Sequence, residues 1–238
     1  MKKKILSICL VAVIAVMAIA GASLAYFTDE DKAENVFTTG NVDITLLENF
    51  GDNKPETLEK LMPGKQNAIT KEVTVKNNGS EDAYVRVHIA IPAMLDSGSE
   101  DEPQYAAYNN TLHFNMSTES FADGKWNWNA DKDGANYPGN GSTWNCYQQV
   151  IGNVTYNVYV VTYETALKKD EVADNAIHQV YLDPKVTNEK ITEINKVLGK
   201  NWEIKVVAEG TQAAGFADAY TALNASFGAP GTYNPWAE

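Results

Sequence analysis

The chain has 238 residues, 44% of them hydrophobic and 21% charged, and it carries a formal net charge of −12. Those are values for a single globular domain with room for one long insertion, apart from the acidity. A surface this negative argues against nucleic acid or an anionic membrane as partner.

At the N-terminus, Lys2, Lys3 and Lys4 precede an uncharged apolar stretch over residues 5–20 and then Gly21-Ala22-Ser23-Leu24-Ala25. This order predicts a cleavable signal peptide over residues 1–25. The small Ser23 and Ala25 suit the shallow pockets of a signal peptidase, which places the cut between Ala25 and Tyr26. The apolar stretch is shorter than the ~20 residues of a spanning helix. Cys9 lies too early for lipoprotein processing and follows Ile8 rather than a small residue. Removal of the segment takes three lysines and no acid, leaving 16 basic residues against 31 acidic ones, a net charge of −15. Such acidity either keeps an exported protein soluble or attracts cations and basic partners. Cys146 is then the only cysteine, so no internal disulfide forms. Beside Trp144 and Tyr147 it reads as a small buried hydrophobe, the alternative being a thiol that joins two chains.

Alternation of apolar and polar residues predicts strands at 41–47, 69–76, 83–91, 154–163 and 202–209. In the second of these, Ile69, Val73 and Val75 share a face on which only Lys71 is out of place. In the third, Val85, Val87, Ile89 and Ile91 face inward while Tyr84, Arg86 and His88 face out, and Pro92 ends the strand. Asn77-Asn78-Gly79-Ser80 between them reads as a hairpin turn. The strand count suits a two-sheet antiparallel β-sandwich over residues 41–238. Helices are expected at 187–198, with Ile191, Ile194, Val197 and Leu198 on one stripe and Gly199 as its stop, and at 216–223. They would cover sheet edges or ends.

Residues 96–146 lack periodicity and crowd Ser, Gly, Asp and Asn among aromatic residues, so they form an insertion. Trp126, Trp128 and Trp144 suggest a segment packed on the sandwich, or alternatively an aromatic patch for carbohydrate.

Chemistry-bearing motifs are sparse. His88, His113 and His178 form no His-Glu-x-x-His pair, and no Gly-x-Ser-x-Gly elbow or phosphate-binding glycine loop occurs. His88 and His178 read as solvent-facing or locally bonded. The one metal candidate is a calcium loop with ligands Asn129, Asp131 and Asp133 ahead of Gly134, weakened by Asn140 where a bidentate Glu belongs.

Gly21-Ala22-Ser23-Leu24-Ala25-Tyr26-Phe27-Thr28-Asp29 followed by Asn35-Val36-Phe37-Thr38-Thr39-Gly40-Asn41-Val42-Asp43-Ile44 resembles the TasA and camelysin family. The likeness continues through Leu61-Met62-Pro63-Gly64 and residues 73–80, and returns at 206–212 and Gly215-Phe216. The resemblance implies a mainly β, jelly-roll-like sandwich with a few short helices, exported after cleavage by a SipW-type signal peptidase. It further implies a structural subunit of extracellular biofilm-matrix fibres in Gram-positive bacteria. Its partners would be copies of itself, with matrix polysaccharide or an accessory assembly protein as further candidates. Assembly in the family runs head to tail by donor-strand exchange. The segment 26–40 is freed only by cleavage, lacks proline, and offers Phe27, Val36 and Phe37 as anchors for the next subunit's open edge. An edge contact that does not close on itself yields a filament. The alternative is that this segment folds onto its own sandwich. Camelysin-type members are named metalloendopeptidases, so a secreted protease is a rival reading, though no ligand motif supports an enzyme here. A monomeric cell-surface adhesin or carbohydrate-binding module is a third.

Overall fold

The computed structural model describes residues 41–49, 61–96, 111–114, 126–133, 146–199 and 202–237, all within the unit Gly40–Glu238. The proposed cleavage site and the anchors Phe27, Val36 and Phe37 lie outside the described residues, as do Gly134, Asn140 and Trp144.

The strands are β1 (Ile44–Asn49), β2 (Ile69–Asn77), β3 (Ala83–Pro92), β4 (Leu112–Phe114), β5 (Trp126–Asn127), β6 (Cys146–Ile151), β7 (Val154–Leu167), β8 (Ile177–Leu182) and β9 (Lys205–Gln212). Helix α1 (Asn188–Leu198) lies between β8 and β9, and α2 (Ala219–Phe227) follows β9. One sheet has the order β1-β2-β8-β4. The other has the order β5-β7-β3-β9, with β6 also paired to β7. Neighbouring strands are antiparallel in both, as the alternating pattern predicts for a sandwich.

Between the sheets, Val73 and Val75 of β2, Val85, Val87, Ile89 and Ile91 of β3, and Tyr159, Val161 and Tyr163 of β7 join one core. Each fully buried Val or Ile contributes about 1.5–3 kcal/mol relative to exposure. Lys71 does point inward, and its ammonium is satisfied by Glu48 of β1. Trp126 and Trp128 belong to this core as well, so this part of the insertion packs on the sandwich instead of displaying a carbohydrate platform. The Trp126 indole donates to the Asp174 carbonyl at 2.8 Å. Cys146 is buried, and burial, with Asp96 nearby, pushes its thiol up to about 12.

Three expectations need correction. The turn after β2 is no hairpin, because β2 and β3 belong to different sheets and residues 78–82 cross between them. Gly79 serves close approach there: a Cβ would lie 2.2 Å from the Asn41 carbonyl oxygen. The second helix starts three residues later than expected, at Ala219, because the Asp218 carboxylate accepts from the Thr221 N–H at 2.8 Å and caps it. It also lies on a sheet face, packed on β3, β7 and β9, and not at an edge. In α1, Gly199 ends the helix as predicted, Thr187 caps its start instead of lying inside it, and Ile194 is fully buried, but Val197 is 63% exposed.

Candidate functional site

The outer face of β3 carries Arg86 and His88, which the alternation places toward solvent. Both are buried, because α2 and residues 228–236 lie over them. Glu209 of β9 stands opposite Arg86 in the register, and its Oε2 accepts from Arg86 Nε at 2.5 Å and from His88 Nε2 at 3.0 Å. The Arg86 fork also donates to the Asn224 side chain at 2.8 Å, the Gly228 carbonyl at 2.9 Å and the Tyr233 hydroxyl at 2.7 Å. Tyr233 in turn donates to Glu209 Oε1 at 2.6 Å. A carboxylate only accepts, so His88 carries its proton on Nε2 and leaves Nδ1 to accept from the Tyr147 hydroxyl at 3.4 Å. Burial pushes the His88 imidazole below its ordinary range, and Glu209 opposes this only in part. Burial would raise the Glu209 carboxyl, but the bond from His88 and the Arg86 charge outweigh it and hold the group at about 2.

This cluster is saturated, since Arg86, His88 and Tyr233 together occupy both Glu209 oxygens. His113 is likewise engaged, its Nε2 at 2.7 Å from Asp183 Oδ2 and its ring stacked on Tyr181 at 4.8 Å. The other Asp183 oxygen accepts from the Lys185 N–H at 2.7 Å. His178 sits half-buried on β8. Among the described residues no group of three or more His, Cys, Asp or Glu side chains is placed to hold a metal. In the calcium candidate, Asp131 Oδ1 accepts from the Asp133 N–H at 2.9 Å, and Asn127 Oδ1 from the Asn129 N–H at 2.9 Å. Two successive side-chain-to-backbone turns thus account for the spacing of polar residues that suggested ligands.

A different kind of site lies where the described chain begins. The Asn41 N–H donates to Ser80 Oγ at 3.0 Å, and its carbonyl accepts from the Ser80 N–H at 2.9 Å. The Asp43 carbonyl accepts from the N–H groups of Asn78 and Gly79 at 2.7 and 3.0 Å. Residues 41–43 are therefore tied to the crossover between the sheets, beside the end of β9. Here β1 and β9, the outermost strands of the two sheets on this side, face one another, and Ile44 packs over Gly210. Farther along, Leu46, Ile204, Val206 and Ala208 touch the core yet stay half-buried.

Residues 1–104 match the family described as camelysin metallo-endopeptidase. Over these residues the chain is similar to the TasA/camelysin family. No curated protein matches the chain. The camelysin match takes in the N-terminal motif, the anchored residues 41–43 and strands β1 to β3, and stops before β4. The metal implied by the family's name finds no fit among the described residues: His88 and Glu209 are engaged by each other and by Arg86, Tyr233 and Tyr147, and His113 and Asp183 form a pair that no third His, Cys, Asp or Glu joins.

The Arg86–His88–Glu209–Tyr233 network was not legible as a site. The signal available was Glu209 itself, an acid following Val206, Val207 and Ala208 in a strand. An acid so placed needs a partner if that face is covered.

Proposed function

We propose that this chain is an exported structural subunit of extracellular fibres, cut from its signal peptide after Ala25 and joined head to tail by the segment 26–40. The observation that carries the reading is the camelysin-family match, which spans the cleavage motif, this segment and the start of the sandwich. Support also comes from the anchoring of Asn41 and Asp43, which gives the segment a firm root on the sandwich. Its work is mechanical and not catalytic, in line with the saturated histidine clusters. Proteolysis by the purified protein that a chelator abolished would overturn that part.

The test compares a form beginning at Tyr26 with one beginning at Gly40, by electron microscopy and sedimentation. The shorter form keeps the Asn41–Ser80 bonds, so the sandwich stays intact. Fibres from the longer form and a folded monomer from the shorter are expected. Monomers from both would remove the reading.

A further inference from the structure

We propose that residues 228–237 are an acid-released strap, which lifts as a unit from the outer face of the five-stranded sheet when the His88 ring takes a second proton. Attachment is the first argument. The backbone of the segment bonds only within itself or to the end of α2: Gly228 N–H to the Asn224 carbonyl at 3.0 Å, Thr232 N–H to Ala229 at 3.1 Å and Ala237 N–H to Asn234 at 3.1 Å. Among the described residues no strand pairs with it. Side chains hold it down. Arg86 donates to the Gly228 carbonyl and the Tyr233 hydroxyl, Tyr233 donates to Glu209, and Trp236 packs on the cluster of Ala90, Tyr147, Tyr156, Val158 and Val160. A Cβ on Gly231 would lie 3.3 Å from the Tyr147 ring, so the strap rests directly on that side chain. A segment outside the backbone ladder can open without unravelling the sheet beneath it. The Trp236 indole N–H is buried with no acceptor among the described residues, a cost that lifting the strap removes.

Charge is the second argument. Beneath the strap Arg86 and Glu209 cancel, and His88, 0% exposed, is the neutral third member. Its Nε2 proton is committed to Glu209, and its Nδ1 faces the Tyr147 hydroxyl of β6. Tyr233 comes down from the strap, and β7 places Val160 beside the ring. Neither α2 nor the strap carries a charged side chain, and Lys205, farther along β9, is paired with Glu203. A proton added at Nδ1 therefore leaves one uncompensated positive charge under the closed strap. Lifting the strap lets water solvate it. Burial holds the closed imidazole below its ordinary 6.5 and wetting restores that value, so the open form takes the proton first and opening grows as the pH falls below 6.5. Between pH 7.5 and pH 5 one such group raises the ratio of open to closed by up to roughly thirtyfold. Glu209, held at about 2 when closed, adds its share only below 4.5.

Hydroxyl-radical footprinting of the chain beginning at Tyr26, at pH 7.5 and at pH 5, tests this directly. Tyr147 under the strap and Tyr163 between the sheets start from similar burial, at 5% and 2% exposed, and so compare opening with general loosening in one sample. Oxidation of Tyr147 relative to Tyr163 should rise at least about threefold at pH 5, within the thirtyfold ceiling set by a single titrating group. His88→Gln, which removes the titrating ring, should abolish the rise. Tyr233→Phe, which removes the hydroxyl link, should raise Tyr147 oxidation already at pH 7.5. A ratio that does not change with pH overturns the proposal, as does a parallel rise at Tyr163, which would mean that the whole sandwich loosens. A rise that persists in His88→Gln also overturns it, because the trigger would lie elsewhere. If His88→Gln fails to fold, the ratio in the parent chain followed from pH 7.5 to 5 decides, since a midpoint above 6.5 or no transition would exclude this ring as the trigger.

Discussion

On β2, Thr70, Glu72, Thr74 and Lys76 alternate with buried Ile69, Lys71, Val73 and Val75 and stand half-exposed on the outside of the four-stranded sheet. On β3 the same alternation brings Arg86, His88 and Ala90 to the outside of the five-stranded sheet, and all three are buried. What separates the two outer faces is a cover contributed by chain far away in sequence. Helix α2 lays Ala219, Tyr220, Ala222 and Leu223 down, Tyr233 closes over Arg86 and His88, and Trp236 packs on the cluster of Tyr147, Tyr156, Val158 and Val160. Polar residues on a strand thus end in water or in a buried network according to whether a later segment covers them.

Glu209→Gln is the sharpest way to break this comparison. The substitution keeps the shape but leaves the Arg86 charge without its counter-ion at 2% exposure, which costs about 3–5 kcal/mol. Asp170→Asn removes the partner of Lys76 across 3.9 Å on the exposed face and should cost no more than about 0.5 kcal/mol. Urea denaturation of the two variants measures both. Similar losses would mean that the covered network is no more valuable than a surface pair.

Acid should find the same face. Glu209 titrates at about 2 in the folded chain against 4.5 for the ordinary carboxyl, so the unfolded chain takes up its proton first as the pH falls. The contribution is intact above pH 4.5 and is lost as the pH falls toward 2, roughly 3 kcal/mol in all. His88 has a lowered pKa, so it too favours protonation of the unfolded chain, and loss begins below 6.5. Stability followed by denaturation from pH 7 downward should decline gently at first and steeply below 4.5. Glu209→Gln should flatten the steep part.

How much of this could be read beforehand follows from the same contrast. Strands β2 and β3 and the ends of α1 are legible because alternation, Thr187 and Gly199 act locally. The double burial of β3 is not, since Arg86 and His88 on an outward parity look the same whether water or Tyr233 lies above them. A better clue lay in β7, where Val158, Tyr159, Val160 and Val161 are apolar at both parities, as in a strand buried on both faces. Strands β4 and β5 have three residues and two, too few to show any period. The turn 77–80 was misread because Asn and Gly there suit a hairpin equally well. In fact the Asn77 amide donates to the Glu81 and Leu167 carbonyls, and Gly79 makes room for Asn41. Gly79→Ala should therefore cost about 1–3 kcal/mol from overpacking. It should also loosen residues 41–43, seen as faster hydrogen exchange at the N-H groups of Asn78 and Ser80.

The finest distinction concerns two ion pairs that each join a strand to its neighbour. Lys71 is 5% exposed, nearly as buried as Arg86, but its partner Glu48 sits on β1 with its side chain 36% exposed. Water solvates that carboxylate and screens the charge that would remain if it were neutralised. Glu48→Gln should accordingly cost no more than about 1 kcal/mol, against the several expected for Glu209→Gln. Equal costs would mean that the burial of the cation alone sets the penalty. The cover of α2 and residues 228–236 would then matter for packing and not for the strength of the pair beneath it.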